Sequence, residues 1–183
     1  MDISKGDQVV IGKDNWSGPS DCSATGEVKR VPDGLLVIVN VTDDKLVTGN
    51  DFLNSDGVEI YLDTRPYKFR GKNYYSKGVF KLNVVPELNE EGKLRVDYHP
   101  KTYATVVPLI EVSHGKMKYG YSVKVYFPNA GLRKNHYILR RKIGLDIGIN
   151  DTDKDKRESQ LMWHGTVNNW KDPSNFKILV IPR

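Results

Sequence analysis

The chain has 183 residues, the size of one ordinary domain, so we expect a single domain over residues 1–183. It carries 28 Lys and Arg against 23 Asp and Glu, and the resulting net charge of +5 is too small to indicate a nucleic-acid partner. The one cysteine, Cys22, cannot form an internal disulfide, and no patterned partner among the four histidines marks it as a nucleophile.

The sequence also gives no sign of a membrane segment. No apolar run approaches the roughly 20 residues that cross a bilayer, and residues 1–12 lack the charged start and apolar stretch of a signal peptide. Basic stretches occur at residues 68–72 and 133–142, but no nucleic-acid recognition motif accompanies them. We therefore expect a soluble chain with neither a nucleic-acid partner nor an inserted membrane segment.

Apolar and polar residues alternate with a period of two along the chain, and Gly, Pro, Asn and Asp interrupt the pattern. This pattern is typical of half-buried antiparallel strands. The predicted strands are 35–41, 58–62, 79–85, 104–107, 121–127, 143–149 and 178–181. Helix signals are nearly absent, although residues 129–137 could contain a short helical turn. The sequence therefore predicts an all-β fold, a two-layer antiparallel β-sandwich.

Strand phase separates the side chains that face the core from those that face away from it. In the strand predicted at 58–62 the aliphatic residues form the core face, which puts Glu59 on the outer face. The same argument applied to residues 79–85 puts Lys81 and Asn83 outside. Three polar side chains on neighbouring strands are thereby predicted to share one outer face.

Two glycines, Gly144 and Gly148, fall on the outer face of the strand predicted at 143–149. Because glycine has no side chain, the pair could form a floor where another group approaches the backbone. A bulge or bend in the strand is the equal alternative.

Nothing in the sequence marks a catalytic centre. Carboxylates are plentiful, but no pair stands out as the acid and base that glycoside hydrolysis requires. Nucleophile elbows, His-Glu-x-x-His motifs, phosphate-binding glycine loops and cysteine clusters are all missing from the sequence, and the histidines show no zinc-ligand spacing. We therefore predict that the chain is not an enzyme.

One acidic segment could bind a metal. Asn150, Asp151, Asp153 and Asp155 alternate oxygen-bearing side chains, as a calcium-binding loop does. The segment lacks the glycine and the closing glutamate of an EF-hand, and lysines are interleaved with its acids. A calcium site and a solvated turn are both open interpretations.

The residues best suited to binding lie at 163–176. Sugars present apolar C–H faces edged by hydroxyl groups, so a sugar site combines a flat aromatic ring with planar amides. Trp170 stands beside Asn168 and Asn169 in a polar loop and meets this requirement, although a packed loop anchor is the alternative for it. Trp163 has the phase of a core residue and is expected in the core.

Three segments, in this order, resemble the family 9 carbohydrate-binding modules that occur attached to bacterial xylanases and to other cell-surface proteins. They are residues 41–44 (VTDD) followed by 56–63 (DGVEIYLD), then 143–146 (IGLD) with 150–151 (ND) and Arg157, and finally Trp163 through 170–176 (WKDPSNF). The resemblance covers most of the chain. It implies an immunoglobulin-like sandwich, often with structural calcium and without an organic cofactor.

In that family, sugars or the ends of glucan and xylan chains bind between two tryptophans. The resemblance matches the second tryptophan to Trp170 and a nearby asparagine to Asn168 or Asn169. It matches the family's glutamate to Glu59, in agreement with the strand phase. The family's arginine and asparagine, which lie two residues apart on the next strand, correspond to Lys81 and Asn83 in this resemblance.

Two positions depart from the family pattern within the implied site. Leu53 stands where the first tryptophan is expected, so an aromatic clamp with two walls is not expected here. Lys81 keeps the charge of the family's arginine but lacks the planar fork that grips two hydroxyl groups.

The leading functional hypothesis is a non-catalytic carbohydrate-binding module for glucan, xylan or other plant and microbial saccharides. It would be an accessory domain of a larger secreted or cell-surface protein whose neighbouring domains are further partners. The alternative is a structural or protein-interaction sandwich with a decayed sugar site. A haem-binding relative is disfavoured, because none of the three methionines pairs with a histidine in the sequence pattern.

Overall fold

Two antiparallel sheets form the framework of the protein. The computed structural model describes residues 1–49, 51–66, 72–88, 92–101, 109–134 and 139–181. The strands are β1 (Asp2–Ile3), β2 (Val9–Ile11), β3 (Cys22–Val31), β4 (Gly34–Asp43), β5 (Gly57–Asp63), β6 (Val79–Leu88), β7 (Leu94–His99), β8 (Glu111–Lys116), β9 (Tyr121–Pro128), β10 (Lys142–Asp151), β11 (Ser159–Met162) and β12 (Lys177–Val180).

The first sheet has the strand order β1-β3-β4-β9-β8, and the second has the order β2-β11-β10-β5-β6-β7. In the second sheet β11 pairs with β10 residues 148–151, while β12 pairs with β10 residues 142–145. A short helix, α1 (Asn129–Lys134), follows β9, and a 3₁₀ turn (Pro173–Asn175) precedes β12. Among the described residues, no helix has the length and apolar character needed to cross a bilayer.

The core lies between the two sheets and is built from alternate residues of their long strands. The core faces predicted from strand phase in β5 and β6 are confirmed, since these strands bury together the side chains of Val58, Ile60, Leu62, Phe80, Leu82 and Val84. Burying one side chain of this size stabilises the fold by about 1.5–3 kcal/mol. The fully buried set includes Leu35, Val39, Ile60, Leu62, Leu82, Val123, Val125, Phe127, Leu145 and Ile147.

Cys22 is also in this core, where burial raises the pKa of its thiol well above the ordinary value. A thiol that stays protonated is a poor nucleophile. Trp163 was expected in the core, and the structure places it at the margin instead. It is half-buried and packs against the core, with the Lys177 ammonium 5.2 Å from the centroid of its ring.

The two glycines of β10 let other groups approach the strand closely, and they mark no bulge. The pairing of β10 with β5 runs without a shift in register from Gly144 to Asn150, so no bulge exists there. A Cβ atom on Gly148 would lie 2.9 Å from Met162 Sδ, and one on Gly144 would lie 3.0 Å from Asp63 Cβ. The glycines therefore make room for the protein's own side chains on the outer face of the sheet.

Candidate functional site

A cleft with a volume of about 400 Å³ opens on the outer face of the second sheet. Across β5 and β6, Glu59 is opposite Asn83 and Tyr61 is opposite Lys81, and His99 of β7 is opposite Lys81. These side chains share one face because residues opposite each other in a sheet point the same way. The residues lining the cleft are Leu53, Glu59, Tyr61, Lys81, Asn83, His99, Arg157, Gln160, Val167 and Trp170.

Glu59 lies at the floor of the cleft and is 2% exposed. Both of its carboxylate oxygens are occupied by donors from the protein. Oε1 accepts hydrogen bonds from Lys81 Nζ at 2.7 Å and from Asn150 Nδ2 at 3.2 Å, and Oε2 accepts from Gln160 Nε2 at 3.1 Å and from the Tyr61 hydroxyl. Burial by itself raises the pKa of Glu59, but the charge of Lys81 and these hydrogen bonds together lower it below the ordinary value.

Lys81 is the charge partner of Glu59 and is itself nearly buried, with 10% of its side chain exposed. Its ammonium also lies 5.5 Å from the centroid of the Tyr61 ring, within range of a cation–π interaction. Two ionic groups taken out of water are stable only when they satisfy each other. At the floor of the cleft, Glu59 and Lys81 therefore neutralise each other and hold each other in place.

Two lining groups retain hydrogen-bonding capacity for a ligand. Asn83 is half-buried and lines the cleft, and its Oδ1, which is itself closed off from solvent, has no hydrogen-bond partner among the described residues. Arg157 donates from Nη1 to Asn150 Oδ1 at 3.1 Å, which is the one bond of its guanidinium to the described part of the chain. Gln160 holds the same oxygen of Asn150 at 2.9 Å.

The apolar side of the cleft consists of Trp170, Leu53 and Val167, which are 51%, 59% and 43% exposed. Large apolar side chains with this much exposure, next to polar groups, are typical of a ligand-binding surface. The backbone N–H of Leu53 is held by Asp51 Oδ1 at 2.8 Å, which fixes the turn that presents its side chain. The Lys171 ammonium lies 5.5 Å from the centroid of the Trp170 ring.

The loop that carries Trp170 is fastened to the sheet by its neighbour Asn169. This residue is completely buried, and its Nδ2 donates to Asp146 Oδ2 at 2.6 Å while its Oδ1 accepts from the backbone N–H of Thr166 at 2.9 Å. The Tyr75 hydroxyl donates to its carbonyl oxygen at 2.6 Å. Asn169 was expected to contact a ligand, but its amide is used inside the protein.

Asp146 receives three further hydrogen bonds, all from backbone N–H groups: those of Ile147, His164 and Gly165, at 2.9, 3.0 and 2.6 Å. Burial raises the pKa of this carboxyl to about 6, although the hydrogen bond from Asn169 and those from the backbone oppose the rise.

Of the residues predicted from the sequence, five line the cleft: Leu53, Glu59, Lys81, Asn83 and Trp170. Asn168 is exposed and does not line the cleft. The structure adds Tyr61, His99, Arg157, Gln160 and Val167, none of which was predicted as a site residue. His99 was missed because its strand, β7, was not predicted, although Leu94, Val96 and Tyr98 alternate with polar residues there.

His99 packs at the cleft with its ring edge on Tyr75, at a centroid distance of 5.2 Å. His99 is exposed, and the partial desolvation of its ring, followed by the positive charge of Lys81, lowers its pKa below the ordinary value for histidine. The imidazole is therefore neutral at pH 7.

Two groups of aspartates lie apart from the cleft. One comprises Asp43, Asp56 and Asp151, all buried, and the other comprises Asp21, Asp44 and Asp153. Within each group one oxygen from every carboxylate lies within 4.8 Å of the others. Either group could hold a metal ion.

The acidic segment that begins at Asn150 is divided by the fold. Asp151 joins one group and Asp153 joins the other, whereas Asp155 belongs to neither among the described residues. Asn150 instead contacts Glu59 in the cleft. The segment therefore does not supply one set of four ligands, because residues distant in sequence complete each group.

The aspartate groups fit a hard cation such as calcium, which prefers carboxylate oxygens. Buried oxygens of Asp43 (Oδ2) and Asp153 (Oδ1) have no hydrogen-bond partner among the described residues. Burial raises the pKa of Asp43, Asp56 and Asp151 to about 6, 8 and 7, respectively. Crowded buried carboxylates of this kind are stabilised when a cation balances their charge.

Comparison with known families gives a match over nearly the whole chain. The family model described as "Carbohydrate family 9 binding domain-like" matches residues 5–181. The chain belongs to this family. No curated protein matches the sequence of this family 9 domain.

Two solved structures share the fold of this family 9 domain. Both are of a family 9 carbohydrate-binding module from Caldicellulosiruptor kristjanssonii, one in complex with cellotriose and one with glucose. The cellotriose complex has a TM-score of 0.67 and 16% identity, over 95% of this chain and 80% of that chain. The glucose complex has a TM-score of 0.68 and 17% identity, over 91% of this chain and 80% of that chain. At these identities the likeness concerns the fold.

Proposed function

We propose that this family 9 domain is a non-catalytic module that binds glucan- or xylan-type saccharides in the cleft of the second sheet. The observation that carries the proposal is the convergence of Glu59, Lys81 and Asn83 with Trp170 on one cavity. The fold relatives that were solved with cellotriose and glucose support the same class of ligand.

In this proposal each wall of the cleft has a separate task. A sugar ring stacks its C–H face on Trp170, and burying that surface contributes about 1 kcal/mol or more. The half-buried amide of Asn83, which lines the cleft, forms a hydrogen bond with a sugar hydroxyl. Lys81 uses one N–H of its ammonium on Glu59 and has further N–H groups to offer.

The proposal of a non-catalytic role rests on the state of Glu59. Glycoside hydrolysis uses two carboxyl groups, one of which has a raised pKa and donates a proton. Glu59 is the one carboxylate that lines the cleft among the described residues, and its pKa is lowered. Its oxygens are already occupied by four donors, so it positions Lys81 and does not act as an acid.

The aspartate groups suggest a second component of the proposal, a structural calcium. Asp43, Asp56 and Asp151 would hold one ion, and Asp21, Asp44 and Asp153 would hold another. Each ion would neutralise carboxylates that come from separate strands and loops. We place the domain as an accessory unit of a larger exported protein, where neighbouring domains supply any catalytic activity.

Calorimetric titration with cello- and xylo-oligosaccharides tests the proposal. The wild-type protein is expected to bind, and Trp170→Ala is expected to weaken binding at least about fivefold, because it removes the stacking surface. Tyr119→Ala is the matched control, since Tyr119 is 63% exposed and does not line the cleft. If a folded wild-type protein binds no saccharide, the structural or protein-interaction role becomes the better account.

A further inference from the structure

We infer that the cleft prefers saccharides that carry a carboxylate, such as uronic acids, and that the guanidinium of Arg157 binds that carboxylate. The inference rests on the proposed sugar-binding function and names the chemical class of the ligand. It depends on which charges in the cleft are already neutralised and which are left for a ligand.

Three lining residues carry a formal charge at pH 7: Glu59, Lys81 and Arg157. Glu59 and Lys81 neutralise each other at 2.7 Å. The fourth titratable lining group that matters near this pH, His99, is neutral because its pKa is lowered. Among the described residues that line the cleft, Arg157 is therefore the one whose charge has no opposite partner.

No ion pair involves Arg157 within the described part of the chain. Its Nη1 donates to the neutral Asn150 Oδ1 at 3.1 Å, and its backbone N–H donates to Asn54 Oδ1 at 3.3 Å. A guanidinium has five N–H groups, so most of its donors have no partner in the described protein. It is also half-buried, which makes an interaction with an opposite charge stronger than on an open surface.

A planar guanidinium matches a carboxylate better than it matches a single hydroxyl group. Its parallel N–H groups can make two hydrogen bonds to the two carboxylate oxygens, and such charge-assisted bonds are roughly twice as strong as neutral ones. Trp170 and Arg157 line the same cavity, so one sugar ring stacked on the indole can present a carboxylate to the guanidinium. Lys81 has no planar guanidinium, and Arg157, just before β11, supplies one at a different place in the cleft.

The test compares three monosaccharides by calorimetric titration: glucose, glucuronate and glucose 6-sulfate, each at low and at physiological salt. Wild-type protein is expected to bind glucuronate at least about fivefold more tightly than glucose, with a preference that decreases as salt rises. Arg157→Gln is expected to abolish that preference, so that glucuronate binds no more tightly than glucose. Arg157→Lys keeps the charge and loses the fork, so part of the preference should survive.

Lys156→Gln is the matched control, because Lys156 is the neighbouring cation, is exposed and does not line the cleft. A thermal melt of each variant confirms that it folds. Equal affinity for glucose and glucuronate overturns the inference and leaves the proposed function intact, whereas binding of neither sugar, nor of any oligosaccharide, overturns both. If glucose 6-sulfate binds as tightly as glucuronate, the site recognises charge alone and the assignment to carboxylates is wrong.

Discussion

The amide of Asn169 and the carboxylate of Asp146 form a hydrogen bond of 2.6 Å, and both residues are completely buried. Asp146 belongs to β10, and Asn169 directly precedes Trp170. The bond therefore joins the loop that carries the indole to the middle of the second sheet. The position of Trp170 at the cleft depends on this internal contact.

Replacing Asn169 by alanine is expected to destabilise the protein by about 1–3 kcal/mol, because it leaves the buried Asp146 with an unsatisfied oxygen. Saccharide binding should weaken as well, since the loop beside Trp170 loses its attachment. Urea denaturation and calorimetry measure the two effects. Asn168→Ala is the control and should change stability by no more than about 0.5 kcal/mol, because Asn168 is exposed.

The pair formed by Glu59 and Lys81 gives a second prediction. Lys81→Met leaves a buried carboxylate without its cation, raises the pKa of Glu59 and should cost about 3–5 kcal/mol of stability at pH 7. Lys29→Met removes one partner of the exposed ion pair with Glu27, in which both side chains are 58% exposed, and should cost less than about 1 kcal/mol. Equal losses in the two variants, measured by urea denaturation, would contradict the structural role given to Lys81.

Strand phase predicted the floor of the cleft correctly because it depends only on alternation along β5 and β6. It could not predict that Glu59 and Lys81 neutralise each other, since that contact depends on strand pairing. For Asn169 the sequence pattern alone is misleading. Its side chain looks like a ligand contact in the sequence, and only the packing of its loop against Asp146 shows that it is buried.

Other parts of the fold lay beyond the sequence pattern for identifiable reasons. Strand β3 contains mostly polar or small residues after Ala24, so its alternation is weak, whereas β7 alternates Leu94, Val96 and Tyr98 with polar residues and could have been predicted. The strand predicted at 104–107 lies outside the described residues. The aspartate groups combine Asp43 of β4 and Asp151 of β10 with aspartates of loops, and no local motif could reveal such a combination.

A third prediction concerns the missing aromatic wall. Leu53→Trp should strengthen saccharide binding several-fold, because a second indole adds stacking surface worth about 0.5–1.5 kcal/mol. The control is Leu88→Trp, at a residue that is 54% exposed and outside the lining of the cleft. Calorimetry should show a gain for the first variant and none for the second.

The aspartate groups make stability depend on pH when calcium is removed. Asp43, Asp56 and Asp151 have folded-state pKa values raised from 3.8 to about 6, 8 and 7. The folded protein thus keeps protons that the unfolded chain has released over the range from about pH 4 to about pH 8. The free energy of unfolding must therefore fall as pH rises through that range.

Thermal melts at pH 5 and pH 8 in the presence of a chelator should show a melting temperature that is several degrees lower at pH 8. Excess calcium should raise the melting temperature most at pH 8, because the ion binds the ionised carboxylates of the folded state. Asp56→Asn should reduce both effects. A melting temperature that responds neither to pH nor to calcium would contradict the assignment of these residues to metal ions.

The central claim, that saccharides bind against Trp170, is tested most directly by nuclear magnetic resonance of the three indole N–H groups during titration with a cello-oligosaccharide. Trp16 donates its indole N–H to Cys22 O at 2.7 Å, and Trp163 packs at the margin of the core, so both serve as internal references. The account predicts a saturable shift of the Trp170 signal while the Trp16 and Trp163 signals stay in place. A shift confined to Trp163, or saturable binding that leaves the Trp170 signal unmoved, would contradict it.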